Sequence, residues 1–189
     1  MTEIYDFSSF PILRTERLTL RQLTSQDAEA LLAIFDPEEA RRFSTRPPLE
    51  TREAAIKMIN WFNDLTHHRQ AIQWGITLHE NERVLIGTCG WYSWAQSDRR
   101  VDIGYHIVPS QWGQGYATEA TRAMLRWCFE NLDLHRIQAD CTAGHDASER
   151  VLLKCGFTVE GVWRESCWEH ERFVDIKQFG LLRREFDFT

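Results

Sequence analysis

The chain has 189 residues, of which 43% are hydrophobic and 26% charged, and its formal net charge is −6. This is the composition of an ordinary globular protein, and the length predicts one domain over residues 1–189. The acidic balance argues against nucleic acid as a direct partner, because phosphate binding requires basic patches, and it mildly favours a cationic substrate.

One strand and two helices are predicted first along the chain. Residues 17–21 alternate between polar and apolar side chains, which is typical of a strand. Residues 24–27 then supply cap residues for a helix, and a second helix should follow Pro48. The expected apolar faces are Ala28, Leu31, Leu32 and Phe35 in the first helix, and Ala55, Met58, Ile59 and Phe62 in the second.

Three strands follow. Residues 71–78 and 84–94 are separated by a polar turn and form a plausible hairpin, although the turn lacks the Asn-Gly signal of a strong one. After a polar break at residues 96–99, a third strand is predicted over residues 101–108.

The last part of the chain alternates between strands and helices. A glycine-containing loop at residues 109–117 runs into a helix of about 15 residues with Ala120, Met124, Trp127 and Cys128 on one face. A strand at 135–141, a helix at 146–155 and strands at 157–162 and 173–182 complete the chain. Because a crossover helix joins only strands 101–108 and 135–141, that pair should be parallel within a mixed α+β fold.

The five cysteines favour neither a disulfide framework nor a zinc site. Their number is odd and none lies in a Cys-x-x-Cys pair, so we expect reduced, mostly buried thiols and no metal. The sequence contains no stretch of about 18 apolar residues, so no transmembrane helix is predicted. The N-terminal residues lack the pattern of a signal peptide, and we therefore expect a cytoplasmic protein without membrane contact.

The strongest chemical signal is the segment at residues 111–118, Gln-Trp-Gly-Gln-Gly-Tyr-Ala-Thr, between a strand and a helix. Glycines let several backbone N–H groups approach a ligand, and the helix N-terminus adds unpaired donors, which together suit a phosphate or pyrophosphate. A tight turn that simply needs glycines is the alternative. A dinucleotide site, with Asp140 as the ribose ligand, is disfavoured because four residues separate the strand from the first glycine. A kinase-type P-loop is excluded because no Gly-Lys-Ser/Thr occurs.

Several motifs in order resemble the GNAT acetyltransferases, and among them the ribosomal-protein N-terminal (Rim-type) branch. Residues 103–105 (Ile-Gly-Tyr) with Pro109 and the run from Trp112 to Ala120 look like the acetyl-CoA loop of that family. Residues 148–157 are similar to its Asn-x-x-Ser…Glu-Lys-x-Gly-Phe motif. Further matches lie at residues 15–18 and 161–165, so the resemblance covers roughly residues 14–185.

The resemblance implies a GNAT-type twisted mixed sheet of six or seven strands, flanked by about four helices, with a splayed parallel strand pair. It also implies acetyl-CoA as cosubstrate, with the pantetheine arm bonded to the strand edge at Ile107 and Val108. The cofactor-binding loop would comprise Trp112, Gly113, Gln114, Gly115, Tyr116, Ala117 and Thr118. Two residues depart from the family: Trp112 replaces its usual Arg or Gln, and His145 replaces an Asn close to the thioester.

Two residues are candidates for catalysis. Alternation along strand 101–108 puts Asp102 and His106 on one face, and Asp102 matches a position where some family members carry a glutamate base. Both could equally be ordinary sheet residues. Ser148 would lie in the first turn of a helix capped by Asp146 and Glu149, where the family geometry lets it donate a proton to the leaving thiolate. Alternatively it only bonds a helix N–H.

The resemblance implies an N-acetyltransferase that moves acetyl directly from acetyl-CoA to a primary amine. The expected acceptor is the α-amine of a peptide or protein, with a basic protein such as a ribosomal one as the candidate partner. A small-molecule amine, such as an antibiotic or a metabolite, is an alternative acceptor. Because His145 is unusual, a non-catalytic acyl-CoA-binding protein is a further alternative. No pattern indicates the oligomeric state.

Overall fold

The computed structural model describes residues 5–35, 49–169 and 171–188. Each predicted helix and strand is present, with shifts of a few residues at some ends, although Pro48 lies outside the described residues. The helices and strands are β1 (Leu13–Arg14), β2 (Leu18–Gln22), α1 (Ala28–Phe35), α2 (Arg52–His67), β3 (Ile72–Leu78), β4 (Asn81–Ala95), β5 (Arg100–Ile107), α3 (Tyr116–Asn131), β6 (Arg136–Thr142), α4 (Asp146–Lys154), β7 (Thr158–Glu169) and β8 (Arg172–Leu182).

These strands form one eight-stranded sheet in the order β1-β2-β3-β4-β5-β6-β8-β7. The seven predicted strands correspond to β2 through β8, and the additional strand is the two-residue β1. Every neighbouring pair is antiparallel except β5 and β6, which are parallel. This confirms the predicted mixed architecture and removes the dinucleotide alternative, which requires repeated parallel β-α-β units.

The helices cover the two faces of the sheet. Helices α1 and α2 pack on one face around Leu31, Ile59 and Phe62. On the other face, the four apolar residues predicted for α3 are buried against the sheet: Ala120, Met124, Trp127 and Cys128. Of the apolar stripes predicted for α1 and α2, only Leu32 and Met58 are not fully buried.

Strand β7 is longer than predicted, since it continues to Glu169 instead of ending at residue 162. A bulge interrupts its pairing with β8 between Trp163 and Cys167. Within the bulge Glu165 adopts a φ of 50°, and its N–H donates to the Asp175 carboxylate at 2.8 Å. The polar residues in this stretch predict a break, but they are accommodated within a continuous strand.

The parallel strands β5 and β6 separate part of the way along their length. They pair only where Arg100 to Asp102 face Arg136 to Gln138. Beyond that point β5 stays paired with β4 up to Ile107, while β6 stays paired with β8 up to Thr142. The expected splay is therefore present, and it leaves an opening with exposed strand edges from residue 103 onward.

The five cysteines carry no disulfide, and all except the half-buried Cys167 are buried, as predicted. Within the described ranges, no helix is long and apolar enough to cross a membrane.

Candidate active site

The glycine loop connects the end of β5 to the start of α3. Gly113 and Gly115 adopt φ values of 76° and 84°, the left-handed region that favours glycine, and Gly115 is the N-cap of α3. Nothing lies within 4 Å of a Cβ placed on Gly113. The first-turn N–H groups of Tyr116, Ala117 and Thr118 have no acceptor within the helix. The loop thus presents open backbone and a helix N-terminus, which suit a pyrophosphate group.

An anchor holds this loop to the start of β2. The Glu119 carboxylate accepts hydrogen bonds from the Thr15 hydroxyl at 2.6 Å, the Arg17 backbone N–H at 2.9 Å and Arg17 Nε at 2.7 Å. Arg17 also donates to the Gln114 carbonyl at 3.1 Å, and its guanidinium lies 4.6 Å from the Tyr116 ring centre. Burial alone would raise the pKa of Glu119, but the bonds from Thr15 and Arg17 outweigh it and lower that pKa.

The strand edge predicted to bind pantetheine lies along the opening. The Ile107 carbonyl accepts a hydrogen bond from the Trp112 indole at 2.5 Å, which ties the glycine loop back onto β5. The Val108 N–H donates to Ile86 on β4 at 2.9 Å. Since backbone groups alternate along a strand, Ile103, Tyr105 and Ile107 direct their N–H and C=O groups toward the opening. Ile107 therefore directs its backbone groups into the opening, whereas Val108 bonds the neighbouring strand; the binding of pantetheine by these two residues stays a prediction.

Ser148 and Tyr105 face each other across the opening. Ser148 is the third residue of α4, and its hydroxyl lies 2.9 Å from the Tyr105 hydroxyl, which also donates to the Ser148 carbonyl at 3.1 Å. Burial raises the pKa of the Tyr105 phenol, so Tyr105 is neutral at physiological pH. Burial also raises the pKa of the neighbouring Cys141 thiol to about 12. Ser148 thus sits in a set of neutral proton-carrying groups.

The predicted capping box at the start of α4 is wrong. His145, not Asp146, is the N-cap residue, which puts Glu149 one position too far along the helix to close the box. Glu149 instead pairs with Lys177 on β8 at 2.6 Å, and that bond lowers the pKa of the Glu149 carboxyl. The box fails because the helix begins one residue earlier than predicted, so that Ser148 and not Glu149 is its third residue.

His145 lies at the N-terminus of α4, half-buried next to Ser148 in the same turn. Burial lowers the pKa of its imidazole, although Glu149 and Asp146 partly oppose this, so the ring is neutral at physiological pH. A neutral imidazole can replace the hydrogen-bonding capacity of the family's asparagine without adding charge. Its cofactor-binding role stays a prediction.

Asp102 lies on β5 on the sheet face opposite Tyr105, as the alternation predicted, and therefore opposite Ser148, which bonds Tyr105. Its carboxylate accepts a hydrogen bond from Gln138 at 3.3 Å. Burial raises the pKa of Asp102, and Arg100 is the strongest of the neighbours that partly oppose the shift. His106 lies further along the same face, with its ring 4.7 Å from Phe35 of α1. Asp102 thus combines a raised pKa with a position where the strands begin to separate.

Gly104, between Asp102 and His106, lies beneath the side chain of Tyr92. A Cβ placed there would meet the Tyr92 ring at 3.5 Å and its hydroxyl at 3.8 Å. The lack of a side chain at Gly104 therefore leaves room for Tyr92 beside Asp102. Within residues 5–35, 49–169 and 171–188, no group of three or more His, Cys, Asp or Glu side chains is arranged to hold a metal ion.

Three features of the site were not predicted from the sequence: the hydroxyl of Tyr105, the Arg17–Glu119 anchor and the position of Tyr92 over Gly104. Each joins residues that are distant along the chain; 102 residues separate Arg17 from Glu119. Tyr105 and Arg17 do lie inside motifs matched to the family. That position was the available signal that they serve more than packing.

This combination of a splayed parallel pair, a glycine loop opening a helix and a serine in the next helix defines an acetyl-CoA-dependent acyltransferase fold. Residues 17–158 match the acetyltransferase (GNAT) domain family, and the chain belongs to that family. It is therefore an N-acetyltransferase with acetyl-CoA as cosubstrate. The family assignment is evidence against the alternative of a non-catalytic acyl-CoA-binding protein.

Similar proteins agree over nearly the whole chain. An uncharacterized N-acetyltransferase of Bacillus subtilis (strain 168), YoaA, is 40% identical over 174 residues, covering 92% of this chain and 98% of that protein. A putative ribosomal N-acetyltransferase of the same organism, YdaF, is 27% identical, covering 91% and 94%.

Solved structures share the fold. RimJ of Mycobacterium smegmatis in complex with a CoA disulfide superposes with a TM-score of 0.82 at 21% identity, covering 93% of this chain and 88% of that one. Spermidine N-acetyltransferase from Vibrio cholerae in complex with CoA and spermine gives a TM-score of 0.79 at 20% identity, covering 90% and 98%.

Proposed function

We propose that this protein acetylates the α-amine of a peptide or protein N-terminus in the cytoplasm. The observation that carries the proposal is the arrangement of groups able to move protons on the two faces of the split strand pair. Ser148 and Tyr105 lie on the helix side, and Asp102 lies on the opposite side. The similarity to a putative ribosomal N-acetyltransferase supports a protein acceptor.

The residues present fit the cosubstrate. Gly113 and Gly115 leave the backbone of the loop open, and the first turn of α3 offers N–H donors for the pyrophosphate. The edge of β5, from Ile103 to Ile107, offers backbone groups for the pantetheine arm, since β6 no longer pairs with it there. His145 lies near the same opening, in the same turn as Ser148.

The thioester of acetyl-CoA supplies the acetyl group, and the side chains of this chain handle the protons. Asp102 accepts the proton that the amine must lose, and its raised pKa makes it a better base than an ordinary carboxylate. The Ser148 hydroxyl, which is hydrogen-bonded to Tyr105, donates a proton to the leaving thiolate. Ser148 then takes up a replacement proton from water, and Asp102 releases its proton to water, which restores the starting state. No covalent intermediate with the protein is needed.

The chemistry favours an α-amine over a lysine side chain. An α-amine has a pKa of about 7.7–8.0, so roughly a tenth is already neutral at pH 7. A lysine amine, with a pKa of about 10.4, is neutral in fewer than about one molecule in a thousand and needs a strong base. A single carboxylate with a raised pKa is a sufficient base for deprotonating an α-amine, but it is too weak a base for a lysine amine.

The test is a comparison of kcat/KM for four acceptors with acetyl-CoA: a peptide with a free N-terminus, the same peptide blocked there but carrying lysine, spermidine and an aminoglycoside. We expect the free N-terminus to be preferred. Preference for the blocked lysine peptide would refute the α-amine assignment. Preference for spermidine or the aminoglycoside would assign the protein to small-molecule acetylation, which the fold shared with a spermidine enzyme also allows.

A further inference from the structure

A cavity of about 770 Å³ lies at one end of the sheet, where α2 ends, β3 begins and β4 ends. Five aromatic residues form much of its wall: Trp61, Phe62, Trp91, Tyr92 and Trp94. No motif of the acetyltransferase family falls on these residues, and the chemistry proposed above does not use the space.

Part of the aromatic wall is exposed to solvent, while Phe62 and Trp91 are buried behind it. The ring centres of Trp61 and Phe62 lie 5.1 Å apart, and those of Trp91 and Trp94 lie 5.6 Å apart, so neighbouring rings hold each other in place. Trp61 is nevertheless 51% exposed and Tyr92 39% exposed. Large aromatic surfaces that face water in a concave site are typical of a ligand pocket, because a bound apolar group would remove them from water.

The charge of the cavity restricts what it can bind. Among the residues that line it there is no Asp or Glu, and its basic side chains are Arg69 and His68. The remaining polar lining is mostly amide, from Gln70, Gln73 and Gln96. Aromatic rings can attract a cation. Here, however, an acceptor that carried an ammonium group in addition to the amine to be acetylated would find no carboxylate in the lining. Arg69 would also repel that ammonium group, so a neutral aromatic or bulky apolar group fits the cavity better.

The cavity opens next to the proposed reaction site. Tyr92 lines it and is the register partner of Asp102 on β5. The Tyr92 hydroxyl donates to the Ile103 carbonyl at 3.3 Å, and its ring covers Gly104. Ser93, also in the lining, lies close enough to Asp102 to lower the pKa of its carboxyl, against the larger effect of burial. Through Tyr92 and Ser93, the cavity is therefore adjacent to Asp102, where an amine would be held.

We propose that this cavity binds the side chain of the acceptor's first residue and selects aromatic or bulky apolar side chains at that position. The proposal rests on the function proposed above, since it names the acceptor class of the same site. It places specificity in α2 and the end of β4, away from the glycine loop and from Ser148.

The test measures kcat/KM for peptides that differ only in the first residue, which is Phe, Leu, Gly or Lys. We expect Phe to exceed Gly by about tenfold or more, the scale at which a hydrophobic pocket discriminates. Trp61→Ala should reduce the Phe-to-Gly ratio toward one and leave the Gly peptide nearly unchanged. Trp168→Ala is the matched control, because Trp168 is 59% exposed on β7 and does not line the cavity.

A second variant tests the charge argument. Gln73→Glu places a carboxylate in the lining at nearly constant shape, and it should raise kcat/KM for the Lys peptide relative to the Phe peptide. The proposal is overturned if the wild-type enzyme does not distinguish Phe from Gly, or if Trp61→Ala slows every peptide equally. If spermidine is acetylated and no peptide is, the proposed function itself is wrong.

Discussion

The anchor between Arg17 and Glu119 can be tested by the substitution Glu119→Ala. The carboxylate holds the Thr15 hydroxyl and both the backbone and the side chain of Arg17, and Arg17 in turn bonds the Gln114 carbonyl in the glycine loop. Removing the carboxylate should therefore destabilise the fold and loosen the loop. The two effects have different readouts.

The loss of stability follows mainly from the two bonds at Thr15 and the Arg17 N–H. The Arg17 side chain is 43% exposed, so its ion pair with Glu119 contributes little. Leaving a buried polar group without its hydrogen-bond partner destabilises a fold by about 1–3 kcal/mol. Because water can reach the groups that Glu119 now binds, we expect a loss of about 1–2 kcal/mol in the free energy of unfolding. For a chain of this length, 1 kcal/mol lowers Tm by about 2–4 °C, so we expect a decrease of about 2–8 °C.

The effect on acetyl-CoA affinity follows from ordering the loop. Fixing the backbone of one loosened residue costs about 1–2 kcal/mol, and about 1.4 kcal/mol is tenfold in affinity. Circular dichroism gives Tm, and calorimetry gives the affinity for acetyl-CoA. Glu130→Ala is the control, since Glu130 is exposed on the same helix and its replacement should change stability by no more than about 0.5 kcal/mol. If Glu119→Ala matches this control in both measurements, the anchor has no role in holding the loop.

Three further predictions concern the loop and the proton-handling groups. Gly115→Glu should weaken acetyl-CoA binding about tenfold or more, because a side chain is disfavoured at φ 84° and a carboxylate repels phosphate; unchanged affinity by calorimetry in a folded variant contradicts it. Ser148→Ala should lower kcat about 100-fold with nearly unchanged acetyl-CoA affinity, and a decrease of less than about threefold would leave Ser148 only a packing partner of Tyr105. Asp102→Asn should lower kcat/KM about 100-fold. Because the pKa of Asp102 is raised in the fold, its contribution to stability is present below its unfolded pKa and is lost as pH rises through the folded pKa. The Tm of the variant relative to that of the wild type should therefore be higher at pH 7 than at pH 4. An equal difference in Tm at the two pH values contradicts this.

Local patterns predicted the elements of the fold well, because side-chain periodicity reports which face of an element is buried. The apolar faces of α3 and the alternation along β5 are both present in the structure. The extension of β7 was not predicted, since Arg164, Glu165 and Ser166 have the composition of a loop. Only pairing with β8 and the bond from Glu165 to Asp175 keep that segment in the sheet. This support comes from the next strand, and the composition of the segment itself gives no sign of it.

The same limit applies to the site. The glycine loop was predicted because its function depends on φ values that glycine alone adopts readily, and a residue type therefore reports it. The bond between Tyr105 and Ser148 depends on how far β5 lies from α4, which no spacing along the chain encodes. The error at the start of α4 is a shift of one residue in the N-cap, and the contact that Glu149 makes instead, to Lys177 on β8, likewise has no signal in the local sequence.

The acetyl-CoA side of the site could be predicted from the sequence, whereas the acceptor side could not. Acetyl-CoA is a constant ligand, and the loop at residues 112–118, which we predict binds it with backbone groups, can be recognised from a short motif. The proposed acceptor cavity would bind a variable ligand with side chains from α2, β3 and β4 that have no fixed spacing. Tyr92 touches both halves, because it lines the cavity and covers Gly104 beside Asp102. Substitutions in the cavity beyond Tyr92 can therefore change the acceptor without disturbing the donor site, and this is where proteins with the same glycine loop can diverge in substrate.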